Sequence, residues 1–315
     1  TDYEREYIVD KMKKNEEKYD QTAVEINKRY QELFYSSSFQ KKRRNEKYIN
    51  YFKNGNFKKI IEDIFFKIFI KIPSSTAGNV IKPNTSGELD ITGKKIAVYS
   101  CIVGRYDSIV DPLYIDCDID YFMFTDLDLP SDSKWKKIDI TQFEEYNKLS
   151  PIQLNRKIKM LPHIYLKDYD YSIYVDGLIE IVCSMKPLIE NMKSSSLGVH
   201  FHNQRDCIYD EAIMIKYAKK ADMSIVNQQL NIYRNEGFPT HNGLYENTIM
   251  IRNHNSQLMC KLMDKWWEEY LKFPTRDQLS LPYLIWKNQI PSDEICILGN
   301  NLNKNPRFNR GLNHL

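Results

Sequence analysis

The chain has 315 residues, of which 42% are hydrophobic, enough for one sizeable core plus an appendage. Its formal charge of +3 is uneven: residues 40–72 carry ten Lys/Arg against Glu46, Glu62 and Asp63, a local +7 that leaves −4 elsewhere, so the basic character is regional and argues against a nucleic-acid binder. The six cysteines form no CxxC pair, and no apolar run reaches the ~20 residues of a membrane span, which sets aside a disulfide framework, a zinc ribbon and a spanning helix. Reduced thiols and the absence of a signal-peptide pattern at the start predict a cytoplasmic setting.

Residues 1–72 read as a helical accessory segment. Tyr19, Ala23, Ile26, Tyr30 and Leu33 recur at alternating steps of four and three among Glu, Lys and Gln, the pattern of a short coiled coil or helical hairpin that could join copies of the chain into a homo-oligomer. A second helix follows, with Phe57, Ile60, Ile61, Ile64, Phe65, Ile68 and Phe69 on one face and Lys58, Lys59, Lys67 and Lys71 around them. Its apolar face either docks on the rest of the protein, the favoured reading, or lies on an anionic membrane at the inner face of the plasma membrane. From Pro73 the composition turns to Pro, Ser, Thr, Gly and Asn, so 73–94 is expected to be a linker with little packing of its own.

A new domain, 95–315, opens on Lys95-Ile-Ala-Val-Tyr-Ser-Cys-Ile-Val103, a buried strand followed by Gly104-Arg-Tyr-Asp107. Ile119 to Thr125 is a second strand, ending at Asp126. Asn155 to Lys159 is basic and helix-like, and Tyr171-Ser-Ile-Tyr-Val175 is a β-branched and aromatic run broken by Asp176-Gly177. A strand at 197–201, a helix from about 209 to 221, a strand at 246–251 and a helix at 256–270 complete an α/β alternation. In open α/β sheets ligands bind outside the carboxyl ends of the strands, so the acids at these tips are aimed at a site.

Asp176 either holds a divalent cation against a diphosphate or caps the turn before Gly177. No second acid completes an Asp-x-Asp pair, since Leu178 stands there; Glu180 shares the face of Asp176 if the strand continues. The run His200-Phe-His202-Asn-Gln-Arg205, with Glu211 beyond it, puts two imidazoles and a guanidinium at another strand mouth, with Arg205 suited to phosphate or sugar hydroxyls and His202 to donating or to metal ligation; the alternative is a surface turn. Thr240 to Asn247 is a polar loop of groups that grip hydroxylated ligands. Asp277 either orients an acceptor hydroxyl, acts as a base, or caps a helix. Nucleotide-loop, hydrolase and zincin signatures are absent.

Together, AVYSCIVGRYD (97–107), YFMFTD (121–126), NRKIKMLPH (155–163), YSIYVDGLIEI (171–181), HNQRDCIYDEA (202–212), GLYENTIMIRNHN (243–255) and RDQLSLPY (276–283) resemble the TOD1/MUCI70-like glycosyltransferase family, over nearly all of 95–315 and none of 1–94. The resemblance implies an α/β GT-A fold, a Rossmann-like mixed sheet flanked by helices, behind an N-terminal helical extension. It implies transfer of a hexose from a nucleotide-diphosphate sugar, UDP-linked, to a hydroxyl of a glycan or lipid-linked glycan acceptor in surface polysaccharide synthesis. The alternative is an inactive domain of the same fold that binds a glycan or assembles. Donor-binding residues are then Arg105, Asp107, Asp126, Arg156, Lys159, Asp176, Gly177, His202, Arg205 and Asn247, with Glu211, Arg276 and Asp277 catalytic. Mn²⁺ or Mg²⁺ falls to Asp176 and His314, and the run Arg307 to His314 is a tail reaching the diphosphate or the metal.

Overall fold

The computed structural model describes residues 2–80, 88–104 and 107–310, with side chains from residue 16 onward except at 66, 67, 69 and 310. Arg105 and His314 lie outside the described residues, as does the end of the expected tail. Three helices come first: α1 (Asp2–Phe34), α2 (Ser37–Lys53) and α3 (Phe57–Phe69). The strands β1 (Ile96–Ile102), β2 (Asp120–Thr125) and β3 (Lys136–Asp139) follow, then α4 (Pro151–Met160), α5 (Pro162–Tyr165), β4 (Tyr171–Val175), β5 (Ile179–Ile181) and α6 (Lys186–Glu190). The last part contains β6 (Leu197–Phe201), α7 (Ile208–Tyr217), α8 (Met223–Asn235), β7 (Tyr245–Asn253), α9 (Gln257–Lys272), α10 (Asp277–Lys287), β8 (Ile295–Gly299) and β9 (Phe308–Arg310).

A seven-stranded mixed sheet has the order β3-β2-β1-β4-β7-β6-β8, and β5 pairs with β9 in a separate ribbon. The strands β1 to β4 run parallel, β7 is antiparallel to both β4 and β6, and β8 is parallel to β6. This is the mixed sheet flanked by helices that the sequence calls for. Both faces of β1 are buried, which explains why its sequence is a continuous apolar run without alternation. One face packs Tyr99, Phe124, Tyr174 and Met250 against helices that contribute Leu154, Trp266 and Leu279; the other packs Val98, Met123, Ile173 and Ile249 against Leu188 and Phe308.

The helix α4 begins where the chain signals it. Ser150 accepts the Gln153 amide, the Gln153 side chain accepts the Ser150 N–H, and Pro151 fills the first turn. Elements that the sequence does not announce are the edge strand β3, helix α8, strand β8 and the β5–β9 ribbon. The expected helix over 209–221 is α7, which stops at Tyr217; Lys219 in the left-handed region (φ 52°) follows its end, and Asp222 caps the separate helix α8.

The N-terminal segment departs from expectation in three ways. In α1 the heptad residues Tyr19, Ile26, Tyr30 and Leu33 are exposed, and the buried residues among those described, Asn27 and Gln31, are polar. Asn27 donates to the carbonyl of Pro306 (2.6 Å), and Gln31 to those of Asn305 (2.9 Å) and Phe308 (2.8 Å). In α3, whose apolar face is expected to dock on the protein, Phe57, Ile61, Ile64, Phe65 and Ile68 of that face are exposed and Ile60 is half-buried. Residues 73–80, read as loosely packed, are pinned: Ser75 Oγ (3.0 Å) and Gly78 N (2.6 Å) donate to Asp206, and Asn79 bonds the carbonyls of His202 and Arg205 and the amide of Leu244.

Candidate active site

The chain leaves β1 toward β2 and β3 on one side, then returns to β4 on the other, so β1 and β4 flank a topological switch point whose crevice lies at their carboxyl ends. Asp176 stands there. Its N–H donates to the Thr248 carbonyl (2.9 Å), its carbonyl accepts Ile179 N (2.9 Å), and the chain turns into β5. That turn removes Glu180 from the face of Asp176 and hands it to the β5–β9 ribbon, beside Asn309. Gly177 serves close packing, because a Cβ there would meet Ile102 Cγ1 at 2.7 Å.

Beneath Asp176 lies a buried charge cluster. Lys159 Nζ sits 2.7 Å from Asp277 Oδ2, 3.8 Å from Asp176 Oδ1 and 4.9 Å above the Tyr174 ring, while Arg156 Nε is 3.9 Å from Asp277 Oδ1. Burial pushes the Asp277 carboxyl up, but Arg156, Lys159 and Arg276 outweigh it and hold the group well below the usual carboxylate range. A carboxylate so held is a poor base and has no side-chain capping role. It anchors Lys159 and Arg156 under the site, which corrects the reading of Asp277 as an acceptor base. Arg252, fully buried, donates to Tyr99 Oη and to the carbonyl of Lys159 (3.0 Å), fixing the end of α4 from behind.

A cleft of about 610 Å³ opens in front of Asp176. From the expected set it is lined by Asp176, His202, Arg205, Glu211 and Arg276; Asp107, Asp126, Arg156, Lys159, Gly177, Asn247 and Asp277 lie outside its lining. Arg205 Nε donates to Glu211 Oε2 (2.6 Å), a buried pair along one wall. His202 is not poised as a metal ligand: its Nδ1 accepts the backbone N–H of Arg205 (3.0 Å) and of Gln204 (3.3 Å), and its Nε2 faces Arg205 (3.3 Å). His200, expected at the strand mouth, is buried in the sheet against Asn305 (3.0 Å), and burial pushes its pKa down to about 4.

On the β1 side, both Asp126 oxygens accept Gly104 N (3.1 and 3.2 Å), and Tyr146 Oη donates to Asp126 (3.1 Å), so this acid shapes the loop after β1. Asp107 is half-buried in that loop. Asn247 alternates with the cleft residues Glu246 and Thr248 along β7; its amide is buried and has no hydrogen-bond partner among the described residues. Arg307 bonds Asp20 (2.9 Å) and the carbonyl of Ser184 (2.7 Å), tying down α1 instead of reaching the cleft. His241, in the loop read as gripping hydroxylated ligands, bonds Asp206 (2.7 Å).

Sequence reasoning missed one whole wall of the cleft. Phe34 and Tyr35 at the end of α1, and Gln40 and Arg43 of α2, line it together with Asn301, Leu302 and Asn303. Nothing local in those helices marks them, since the tertiary contacts of α1 decide where they lie. Glu246, Thr248 and Gln278 also line it, all within motifs quoted above.

The family model for the TOD1/MUCI70 glycosyltransferase-like domain matches residues 20–298. The chain belongs to that family. The match begins inside α1, so the likeness extends beyond 95–315 into the helical segment. The chain is similar to the probable hexosyltransferase MUCI70 of Arabidopsis thaliana, 26% identical over 212 residues, which are 59% of this chain and 36% of that protein. A pantothenate kinase of Shouchella clausii (strain KSM-K16) is 30% identical over 89 residues, 27% of this chain and 28% of that protein. The chain thus spans about a third of the length of these curated relatives. Among solved structures, mouse xyloside xylosyltransferase 1 in its apo form superposes with a TM-score of 0.39 at 10% identity, covering 65% of this chain and 85% of that one.

The residues at Asp176 suit a hard divalent cation: the side chain is 39% exposed at a strand end, and Mg²⁺ is commonly held by one or two carboxylates together with substrate phosphates instead of a closed protein cage. Among the described residues, the three-ligand grouping of His, Cys, Asp or Glu is Cys207, Asp210 and His241, which does not include Asp176.

Proposed function

We propose that the protein is a glycosyltransferase that moves a hexose from a UDP-linked sugar to a hydroxyl of a glycan acceptor in surface polysaccharide synthesis. The observation that carries this reading is the placement of Asp176 at the switch-point crevice, over the buried Lys159–Asp277 pair and at the edge of a polar cleft, in a chain of this family. In the reaction the bond between the sugar C1 and the diphosphate oxygen breaks, a bond from C1 to the acceptor oxygen forms, the nucleoside diphosphate departs, and the acceptor proton goes to a base.

Asp176 would hold Mn²⁺ or Mg²⁺, which when bound neutralises charge on the departing diphosphate. Lys159 and Arg156, held by Asp277, lend fixed positive potential from below. Asp126 supports the loop after β1, which together with the turn at Gly177 borders the nucleotide side, while Arg205, His202 and Arg276 face the sugar and acceptor. Glu246, which accepts the Thr248 hydroxyl (2.8 Å) on the cleft wall, replaces Asp277 as the group that takes the acceptor proton; Glu211 is neutralised by Arg205.

Nucleotide release from a panel of UDP- and GDP-sugars by the purified chain tests the reading, with and without Mn²⁺. Activity with a UDP-hexose, lost by orders of magnitude in Asp176→Asn while the fold survives, is expected when several kcal/mol of charge stabilisation is withdrawn. A chain that binds glycans but turns over no donor would instead be the inactive binding or assembly module.

A further inference from the structure

We propose that α3 is an interfacial anchor that seats the protein on an anionic lipid surface. The polar side of α3 faces its neighbour α2: Asp63 accepts Tyr48 Oη and lies 3.5 Å from Lys47 Nζ, and Lys59 Nζ sits 5.6 Å over the Tyr51 ring. The apolar side is thereby turned outward. Phe57 (51% exposed), Ile61 (67%), Ile64 (44%), Phe65 (53%) and Ile68 (63%) face solvent, and their spacing confines them to about a third of the helix circumference. Phe52 of α2, 65% exposed and edge-on to Phe57 at 5.3 Å, extends the patch.

An exposed apolar strip of this kind needs a cover. The charge around it selects the cover: residues 40–72 carry +7, with the described side chains of Lys53 and Lys58 exposed. A basic, apolar-faced helix lying in the plane of the membrane matches anionic headgroups with its lysines and the acyl boundary with its Phe and Ile side chains. No helix among the described residues is long and apolar enough to cross a membrane, so the contact is interfacial. The same hairpin gives Gln40 and Arg43 to the cleft, and α3 follows α2 after a turn in which Gly55 takes φ 68°. Seating α3 therefore brings the cleft close to the lipid, which suits a lipid-linked acceptor; that last clause rests on the proposed function, while the anchoring does not.

The full chain is sedimented with phosphatidylcholine vesicles containing 30% phosphatidylglycerol, and with phosphatidylcholine alone, at low and high salt, without donor or acceptor. Binding to the anionic vesicles at low salt, at least tenfold above that to the neutral ones and lost at high salt, is expected. Lys53→Glu and Lys58→Glu should each weaken binding about fivefold or more, and Ile61→Ser with Ile68→Ser should abolish it while the circular dichroism spectrum is kept. Failure to bind anionic vesicles overturns the proposal. So does a stable dimer in sedimentation velocity that Ile61→Ser with Ile68→Ser converts to monomer, because the patch would then belong to a second copy. Sugar transfer is not measured, so a negative result here leaves the proposed reaction standing.

Discussion

Lys159 Nζ and Asp277 Oδ2 meet at 2.7 Å inside the protein, both side chains almost wholly buried, directly under the exposed carboxylate of Asp176. A buried pair of this kind is destabilising to break and weakly stabilising to keep, because the partner left behind remains charged without water. Asp277→Asn should therefore lower stability by about 3–5 kcal/mol in urea unfolding. Lys159→Met combined with Asp277→Leu should lose less than the sum of its single changes. An Asp277→Asn protein as stable as the parent would mean that the pair is solvated.

Two buried histidines make the fold sensitive to mild acid. Burial pushes both His200 and His254 down to about 4, with the Arg252 charge adding to the effect at His254. Each stays neutral in the fold while the unfolded chain takes up a proton near its ordinary 6.5. The folded pKa is the lower one, so stability is intact above pH 6.5 and falls as pH drops from about 6.5 to 4, by up to about 3 kcal/mol for each histidine. Urea midpoints taken at pH 7.5, 6 and 5 should fall in that order, and His200→Gln should flatten the slope; equal midpoints would rule out neutral burial.

Gly177→Ala probes the packing that carries Asp176. The added methyl would meet Ile102 Cγ1 at 2.7 Å and Cδ1 at 2.9 Å, and Ile102 is itself buried. A loss of about 1–3 kcal/mol is expected from overpacking, with donor affinity falling as the turn shifts. Ile102→Ala should be less harmful in the Gly177→Ala background than alone, and strict additivity in the thermal midpoints would show that the two do not touch.

Asn27→Ala and Gln31→Ala each remove side-chain donors to the carbonyls of residues 305–308. Leaving those acceptors unmet is expected to lower stability by about 1–3 kcal/mol per change. Hydrogen exchange in α1 and α2 should accelerate ahead of the sheet. If only global unfolding responds, α1 is not a separately opening unit.

Much of the sheet was legible because its strands are buried on both faces, and runs such as Tyr171 to Val175 leave few other options. The basic, helix-like run from Asn155 to Lys159 likewise announced α4, though not the capping box at Ser150 and Gln153 that starts it. Three things were hidden. The heptad-like stripe of α1 suggested a seam through Ile26 and Leu33, whereas Asn27 and Gln31 are the contacts, since unmet carbonyls near residue 306 attract amides more specifically than an apolar surface would. Asp277 read as an acceptor-side acid or a helix cap because its partners, Arg156 and Lys159, are distant in sequence. The wall formed by Phe34 and Arg43 depends wholly on how α1 docks. Of the expected site residues, those in the His202–Glu211 run and Arg276 do reach the cleft with Asp176, whereas the motif around Asp126 forms a separate loop support.

The bonds from Asn27 and Gln31 join positions 274 to 281 residues apart in sequence. During synthesis α1 leaves the ribosome long before the carbonyls it binds exist, and at some 5–20 residues per second it waits on the order of tens of seconds for them. Through that interval the wall carrying Phe34 and Arg43 has nothing to close against. Assembly of the cleft is thus postponed until residues 305–308 have been made, and ribosome-bound nascent chains shorter than about residue 305 are expected to contain a formed sheet edge but no substrate-ready enclosure.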